Sequence, residues 1–419
     1  MLSKSVETLT AISFFFMPLS MLFIYRFHAP FSAHALLFGV LFVSLILLTL
    51  FCGRMPRLNI SIALFLVSIT IIAPVSIFST NIELILTGYI RLFTMMIPYF
   101  VLLLALPIAP EAPVVAARWF SFGSVASAIY ALQLFFAGEI FYAGRLTFAA
   151  EHNPTTFGSN LATSLLLMGW LYGQKRISGL VLSASVPILV VSLVLSQSRN
   201  AMIALIIALG LTACLKSYRS IRLWNGRIKI LRNFIPFFLR LLAVTLILVG
   251  IIVAVFSSFE IDERFYSRIL ATIELSSATD ATAGRDTIWG SYLALDVPFF
   301  GFGLDSTSTL LQQVEIEQLP HNAFILSYIH GGIIFFFLYI GFVLTFLFEL
   351  SEKSTERFSF LLATGLFAAF LGLGTDAYIY AIFWAPLSIS LILHRYQTVA
   401  PLKGSLPAGS MLGSNQTCV

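Results

Sequence analysis

The chain has 419 residues, of which 59% are hydrophobic and only 10% charged, with a mean hydropathy of +0.96. A soluble domain carries about a quarter charged residues, so that class is excluded and an integral membrane protein is expected. The formal charge of +5 does not point to nucleic acid, because basic residues in a membrane protein collect in cytoplasmic loops and set its orientation.

A helix needs about 20 apolar residues to cross a bilayer. On that rule residues 9–27, 33–52, 59–79, 84–106, 115–137, 156–173, 178–196, 200–215, 236–256, 321–348, 357–373 and 376–394 read as spans. The first lacks a small-residue cleavage site and is expected to be retained. The expected architecture is an all-α polytopic membrane protein of about twelve transmembrane helices. Helices 1 to 9 occupy residues 1–256, one large loop occupies 257–320, helices 10 to 12 occupy 321–396, and a Gly- and Ser-rich tail follows over 397–419. That tail is expected to be disordered.

Loop charge fixes the orientation. With the N-terminus cytoplasmic, Arg54, Arg57, Arg118, Lys175 and Arg176 share one side with the run from Lys216 to Arg240, which contains no acidic residue, and with Arg395 and Lys403. That is the bias the positive-inside rule requires, with Arg26 the clearest exception. Both termini are then cytoplasmic and the large loop is on the outside. It is the one sizeable polar region, carrying Glu260, Asp262, Glu263, Asp280, Asp296 and Glu317 among its acidic residues.

Four outside residues carry candidate chemistry. Arg145 lies near His152, Asn153 and Asn160; Arg199 lies in the polar turn at 196–200; Arg285 lies in the large loop; His321 follows Pro320 and opens an apolar run with Asn322. An Arg presents a planar fork of donors that never loses its charge, which suits bidentate capture of phosphate oxygens. Taken singly, each Arg also reads as a snorkelling or carboxylate-paired residue, and Arg285 has Asp286 beside it. An imidazole such as that of His321 can accept a proton, as a general base must, although a lone His at a helix end is more often a packing residue; His152 is the rival for that role. Cys52, Cys214 and Cys418 lack ligand spacing, and neither a paired-carboxylate nor a His-Glu-x-x-His motif is present, so no metal site is signalled. No phosphate-binding Gly-rich loop occurs either. The Gly-rich stretch at 299–303 reads as a backbone bend.

Together these segments resemble the bacterial lipopolysaccharide O-antigen ligase family and its superfamily of O-antigen polymerases and related oligosaccharide transferases. The resembling features are Arg145 followed by Asn153-Pro154, then Ser196-Gln197-Ser198-Arg199, then Gly284-Arg285 with Trp289, Pro298, Gly301 and Gly303, and finally Pro320-His321-Asn322 with Gly331-Gly332. In the ligase family a small or hydroxylated residue follows three positions after the second of these glycines; here Phe335 departs from that pattern.

The resemblance implies a glycosyltransferase of the GT-C type, working without metal or cofactor in the bacterial inner membrane with its site at the periplasmic face. It implies as donor an undecaprenyl-diphosphate-linked O-antigen glycan and as acceptor the lipid A-core oligosaccharide, with membrane lipids around the spans and no nucleic acid. Catalysis is expected from His321, Arg285 and Arg199, and substrate binding from Arg145, Arg199, Arg285, Asn153 and Asn322. Polymerase and protein O-oligosaccharyltransferase remain alternatives, as does a transporter using the intramembrane Arg91.

Overall fold

The computed structural model describes residues 2–20, 33–52, 56–79, 82–138, 145–147, 153–222, 285–304, 319–352, 359–375 and 381–399. Among these residues all regular structure is helical: α1 (Leu2–Phe16), α2 (Ala33–Cys52), α3 (Ile60–Ser79), α4 (Ile82–Ala105), α5 (Ala112–Phe136), α6 (Pro154–Gly173), α7 (Gly179–Leu195), α8 (Arg199–Arg222), α9 (Arg285–Leu293), α10 (Ala323–Glu352), α11 (Phe360–Leu371) and α12 (Ala381–Val399). In hydrocarbon there is no water to satisfy backbone groups, and a helix satisfies them within its own segment. By length and composition α4, α5 and α10 suffice to cross a membrane, over Leu86–Ala105, Ala112–Phe136 and Ala323–Ser351. Shorter apolar helices include α2, α3, α7, α8 and α11. The expected span at 236–256, most of the 257–320 loop, His152 and the tail from 400 onward lie outside the described residues.

Apolar side chains gain little from leaving lipid for one another, so helices in a bilayer associate through close packing of small residues. That is how α5 meets its neighbours. Its buried face includes Ala116, Ala117, Ser121, Gly123, Ser124 and Ala128, and α1 approaches until a Cβ on Gly123 would fall 2.1 Å from the Phe15 carbonyl oxygen. α6 packs between α5, α7 and α11, while α8 lies on α11 and α3 on α10. Where α3, α10 and α12 meet, the filling is aromatic: Phe65 lies 4.9 Å from Phe342 and 5.1 Å from Trp384, ring centre to ring centre.

One end of the bundle gathers basic residues. There Arg176 pairs with Glu111 at 3.1 Å, Tyr396 donates to the same carboxylate at 2.6 Å, Arg118 donates to the Arg176 carbonyl, and Arg395 donates to the Arg57 carbonyl. Burial, helped by the neighbouring Glu111 carboxylate, raises the Tyr396 pKa. At this same end α10 supplies the cap of α3. Glu349 accepts from the Ile60 amide at 2.8 Å, the Ser61 amide at 3.3 Å and the Ser61 hydroxyl at 2.7 Å. A carboxylate is favoured there because the first amides of a helix have no partner within it and carry partial positive charge.

α10 is broken near its other end. Gly331 (φ −133°, ψ 18°) and Gly332 (φ 62°, ψ −160°) leave helical geometry, and the freed carbonyls are taken up from outside the helix. Phe302 donates its amide to the Ile329 carbonyl and Gly303 to the His330 carbonyl, both at 2.9 Å. The approach is close enough that a Cβ on Gly332 would lie 2.0 Å from the Phe299 carbonyl oxygen, so only glycine fits, on space as well as on φ. Phe335 is fully buried and occupies the room beside Gly331, where an added Cβ would meet the Phe335 Cβ at 2.3 Å.

Replacing Glu349 with Ala leaves the first amides of α3 uncapped and is expected to cost about 1–2 kcal/mol. Glu349→Gln keeps an acceptor but loses the charge, and should lose less. Thermal midpoints of the purified protein in detergent would give the order wild type, Gln, Ala; equal midpoints for all three would show that this contact does not hold α3.

Candidate functional site

Among the described residues, the candidate side chains of Asn153, Arg199, Arg285, His321 and Asn322 sit at or beside helix starts, because the polar residues of this chain interrupt its apolar runs. Arg199 opens α8 and Arg285 opens α9; His321 and Asn322 immediately precede α10, and Asn153 precedes α6. Arg145 lies in a short described segment, 145–147, whose Leu146 amide donates to the Leu195 carbonyl at the C-terminal end of α7 at 3.0 Å. Asn160 lies within α6.

The segments converge on the turn that ends α11. The last carbonyls of a helix lack their usual i+4 amide partner; that of Leu371 is met locally by the Gly374 amide at 3.1 Å and the Thr375 hydroxyl at 2.8 Å, and three distant donors also reach this turn. Asn200, next to Arg199, donates its side-chain amide to the Leu371 carbonyl at 3.1 Å. The Ala323 amide, next to His321-Asn322, donates to the Gly372 carbonyl at 2.8 Å. The Arg285 guanidinium donates to the Gly374 carbonyl at 3.1 Å. A further bond closes a ring: the Trp289 indole N–H, one turn into α9, donates to the Pro320 carbonyl at 2.6 Å. Arg285 and His321 are therefore tied to each other from both sides, and Arg199 is attached through Asn200.

Two backbone outliers fall among these residues. His321 has φ 47° and Gln197 has φ 50°, in the left-handed region that L side chains rarely adopt and that costs on the order of 1–2 kcal/mol. Around Gln197 the turn between α7 and α8 is braced by Ser196, whose hydroxyl donates to the Leu193 carbonyl at 2.6 Å and accepts from the Ser198 amide at 3.3 Å. It is also pressed onto α6, where a Cβ on Gly158 would lie 2.5 Å from the Ser198 Cβ.

Asn153 and Asn322 have local duties. Asn153 accepts from the Thr155 amide at 2.8 Å, and Asn322 accepts from the Phe324 and Ile325 amides at 2.9 and 3.3 Å. Each is an N-cap. Their oxygens fix where α6 and α10 begin, and through α10 the position of His321. Among the described residues no three His, Cys, Asp or Glu side chains come together as metal ligands.

Sequence reading missed Asn200, Gly372 and Gly374. Their signal was present as two glycines at the end of an apolar run, the pattern of a helix C-terminus, but nothing in it says which distant donors arrive. No family model matches the chain, and no curated protein matches it either.

A Cβ on Gly374 would lie 2.4 Å from the Asn200 Oδ1, and Asn200 is held by its own bond to Leu371. Gly374→Ala is therefore expected to destabilise by about 1–3 kcal/mol. Asn200→Ala removes both the clash and the tie, so the double variant should lose less than the sum of the single losses, with a coupling of about 0.5–3 kcal/mol. Additive losses in thermal unfolding would mean the two residues do not meet.

Proposed function

We propose that this chain is an O-antigen ligase, a metal-independent inverting glycosyltransferase of the GT-C type. It crosses the bacterial inner membrane about twelve times, both termini are cytoplasmic, and the site faces the periplasm. The donor is a glycan linked to undecaprenyl diphosphate. Arg199 and Arg285 hold its diphosphate, with Arg145 as a third fork. His321 takes the proton from a hydroxyl of the lipid A-core acceptor as that oxygen attacks the anomeric carbon. The new C–O bond forms as the anomeric carbon–phosphate oxygen bond breaks on the opposite face, and the electron pair leaves with undecaprenyl diphosphate. Fixed guanidinium groups stabilise the charge that develops there, in a setting where little water competes. The donor's own linkage drives the reaction, so nucleotide is not consumed.

The observation that supports this reading is the set of bonds to residues 371–374 from Arg285 itself, from Asn200 next to Arg199 and from Ala323 two residues after His321, segments that are far apart in sequence. The left-handed backbone at His321 fits a side chain aimed for a task, since such strain persists where the surroundings enforce it. A transporter reading has no comparable support.

Surface lipopolysaccharide resolved as a ladder, in cells lacking their own ligase, tests the proposal. Arg199→Ala, Arg285→Ala and His321→Ala should each lower long-chain product by a factor on the order of 10² or more. Lys in place of either Arg should also fail, because an ammonium cannot make paired bonds. Undiminished ladders in all three Ala variants would overturn the site. A knock-out that leaves one repeat unit on the core, rather than none, would reassign the chain to polymerisation.

A further inference from the structure

The stretch from Pro298 to Leu304 belongs to the polar loop by sequence, yet the structure sets it against the flank of α10 rather than at its end. The amides of Phe302 and Gly303 bond the Ile329 and His330 carbonyls, and a Cβ on Gly301 would lie 2.5 Å from the Gly331 and Gly332 amides. Gly332 lies nine residues beyond Ala323, about 13 Å along α10 at 1.5 Å per residue.

A second helix also places this contact below one of its ends. A Cβ on Gly331 would meet the Ile72 side chain of α3 at 2.7 Å, and α3 has 20 residues, about 30 Å end to end. Its Ile60 end is the one capped at the basic pole. Ile72 is therefore about 18 Å from that end and about 10 Å below the other.

At that depth a loop backbone is tolerated only where protein satisfies it. Gly301, Gly303 and Leu304 are buried, and the amides of Gly301, Phe302 and Gly303 all have carbonyl partners. The tip behaves differently. Phe299 is 62% exposed and Phe300 40% exposed, with their rings edge to face at 5.2 Å.

We infer that residues 298–304 form a re-entrant hairpin that dips below the level of the helix ends and presents Phe299 and Phe300 to the acyl chains of the leaflet at the site end of the bundle. Two exposed rings on a water-facing loop would be unfavourable by their whole apolar area; at acyl-chain depth they are in their preferred solvent. Depth and exposure together select lipid as the occupant. This holds whether or not the enzyme reading does, since it uses only the helix geometry and the membrane character of the chain.

Site-directed spin labelling of the full chain in phospholipid bilayers tests it. Cys52, Cys214 and Cys418 are replaced with Ser, and a nitroxide is attached at Phe299→Cys or Phe300→Cys. Collision with oxygen, which concentrates in hydrocarbon, is compared with collision with a water-soluble nickel chelate. Phe337→Cys, at an exposed position within the apolar span of α10, is the membrane reference, and Thr287→Cys, on the exposed side of α9, is the aqueous one. Labels at 299 and 300 should behave as at 337, with nickel collision several-fold below that at 287. Nickel collision equal to that at 287 would overturn the inference, and so would low collision with both reagents, which would mean that another protein segment covers the tip. Both positions are exposed, so the substitutions leave the packed interior untouched.

Discussion

The carbonyl oxygens left over at the end of α11 hold the site end of this molecule together. A helix that stops inside a membrane protein has several acceptors facing an environment poor in water, and each unsatisfied one costs about 1–3 kcal/mol. Here the acceptors at 371–374 draw donors from α8, α9 and the start of α10. The C-terminal end of a helix also carries partial negative charge, which favours a guanidinium such as Arg285. A local need of one helix end thereby fixes the positions of three segments that share no contact in sequence.

The break in α10 extends the same logic. Interrupting a helix frees carbonyls at Ile329 and His330, and the hairpin at 298–304 supplies the missing amides. α9 is thus held from both sides, at its first residue by the α11 turn and beyond its last by the clasp on α10. A helix of only 9 residues is too short to persist alone in water, so its position is set by these two attachments and by the Trp289 bond to Pro320.

Much of the helical layout was legible from composition, because runs of Leu, Ile, Val and Phe bounded by Arg, Pro and Gly have few other uses. The caps at Asn153 and Asn322 follow the same local rules, an Asn directly before a helix. What could not be read was the partnership between Asn200 and Leu371 or between Arg285 and Gly374, separated by 171 and 89 residues. Hydrophobic periodicity reports which face of a segment is buried and is silent about which carbonyl a distant amide will find. The hairpin at 298–304 was hidden for a related reason: its polar neighbours place it outside the membrane, and only the glycines at 301 and 332 record how closely two backbones approach.

Strain at His321 and Gln197 follows from that arrangement. Each residue lies where the chain must turn sharply into a helix whose start is already fixed, α10 by the Ala323 bond to Gly372 and α8 by Asn200. The turn has too few residues to relax, so one of them takes a left-handed φ. The cost of about 1–2 kcal/mol per residue is comparable to one or two of the surrounding hydrogen bonds, and the ring contains several. The conformations at 197 and 321 are therefore consequences of how α8 and α10 are held, and loosening the α11 turn would release both, moving Arg199 and His321 together.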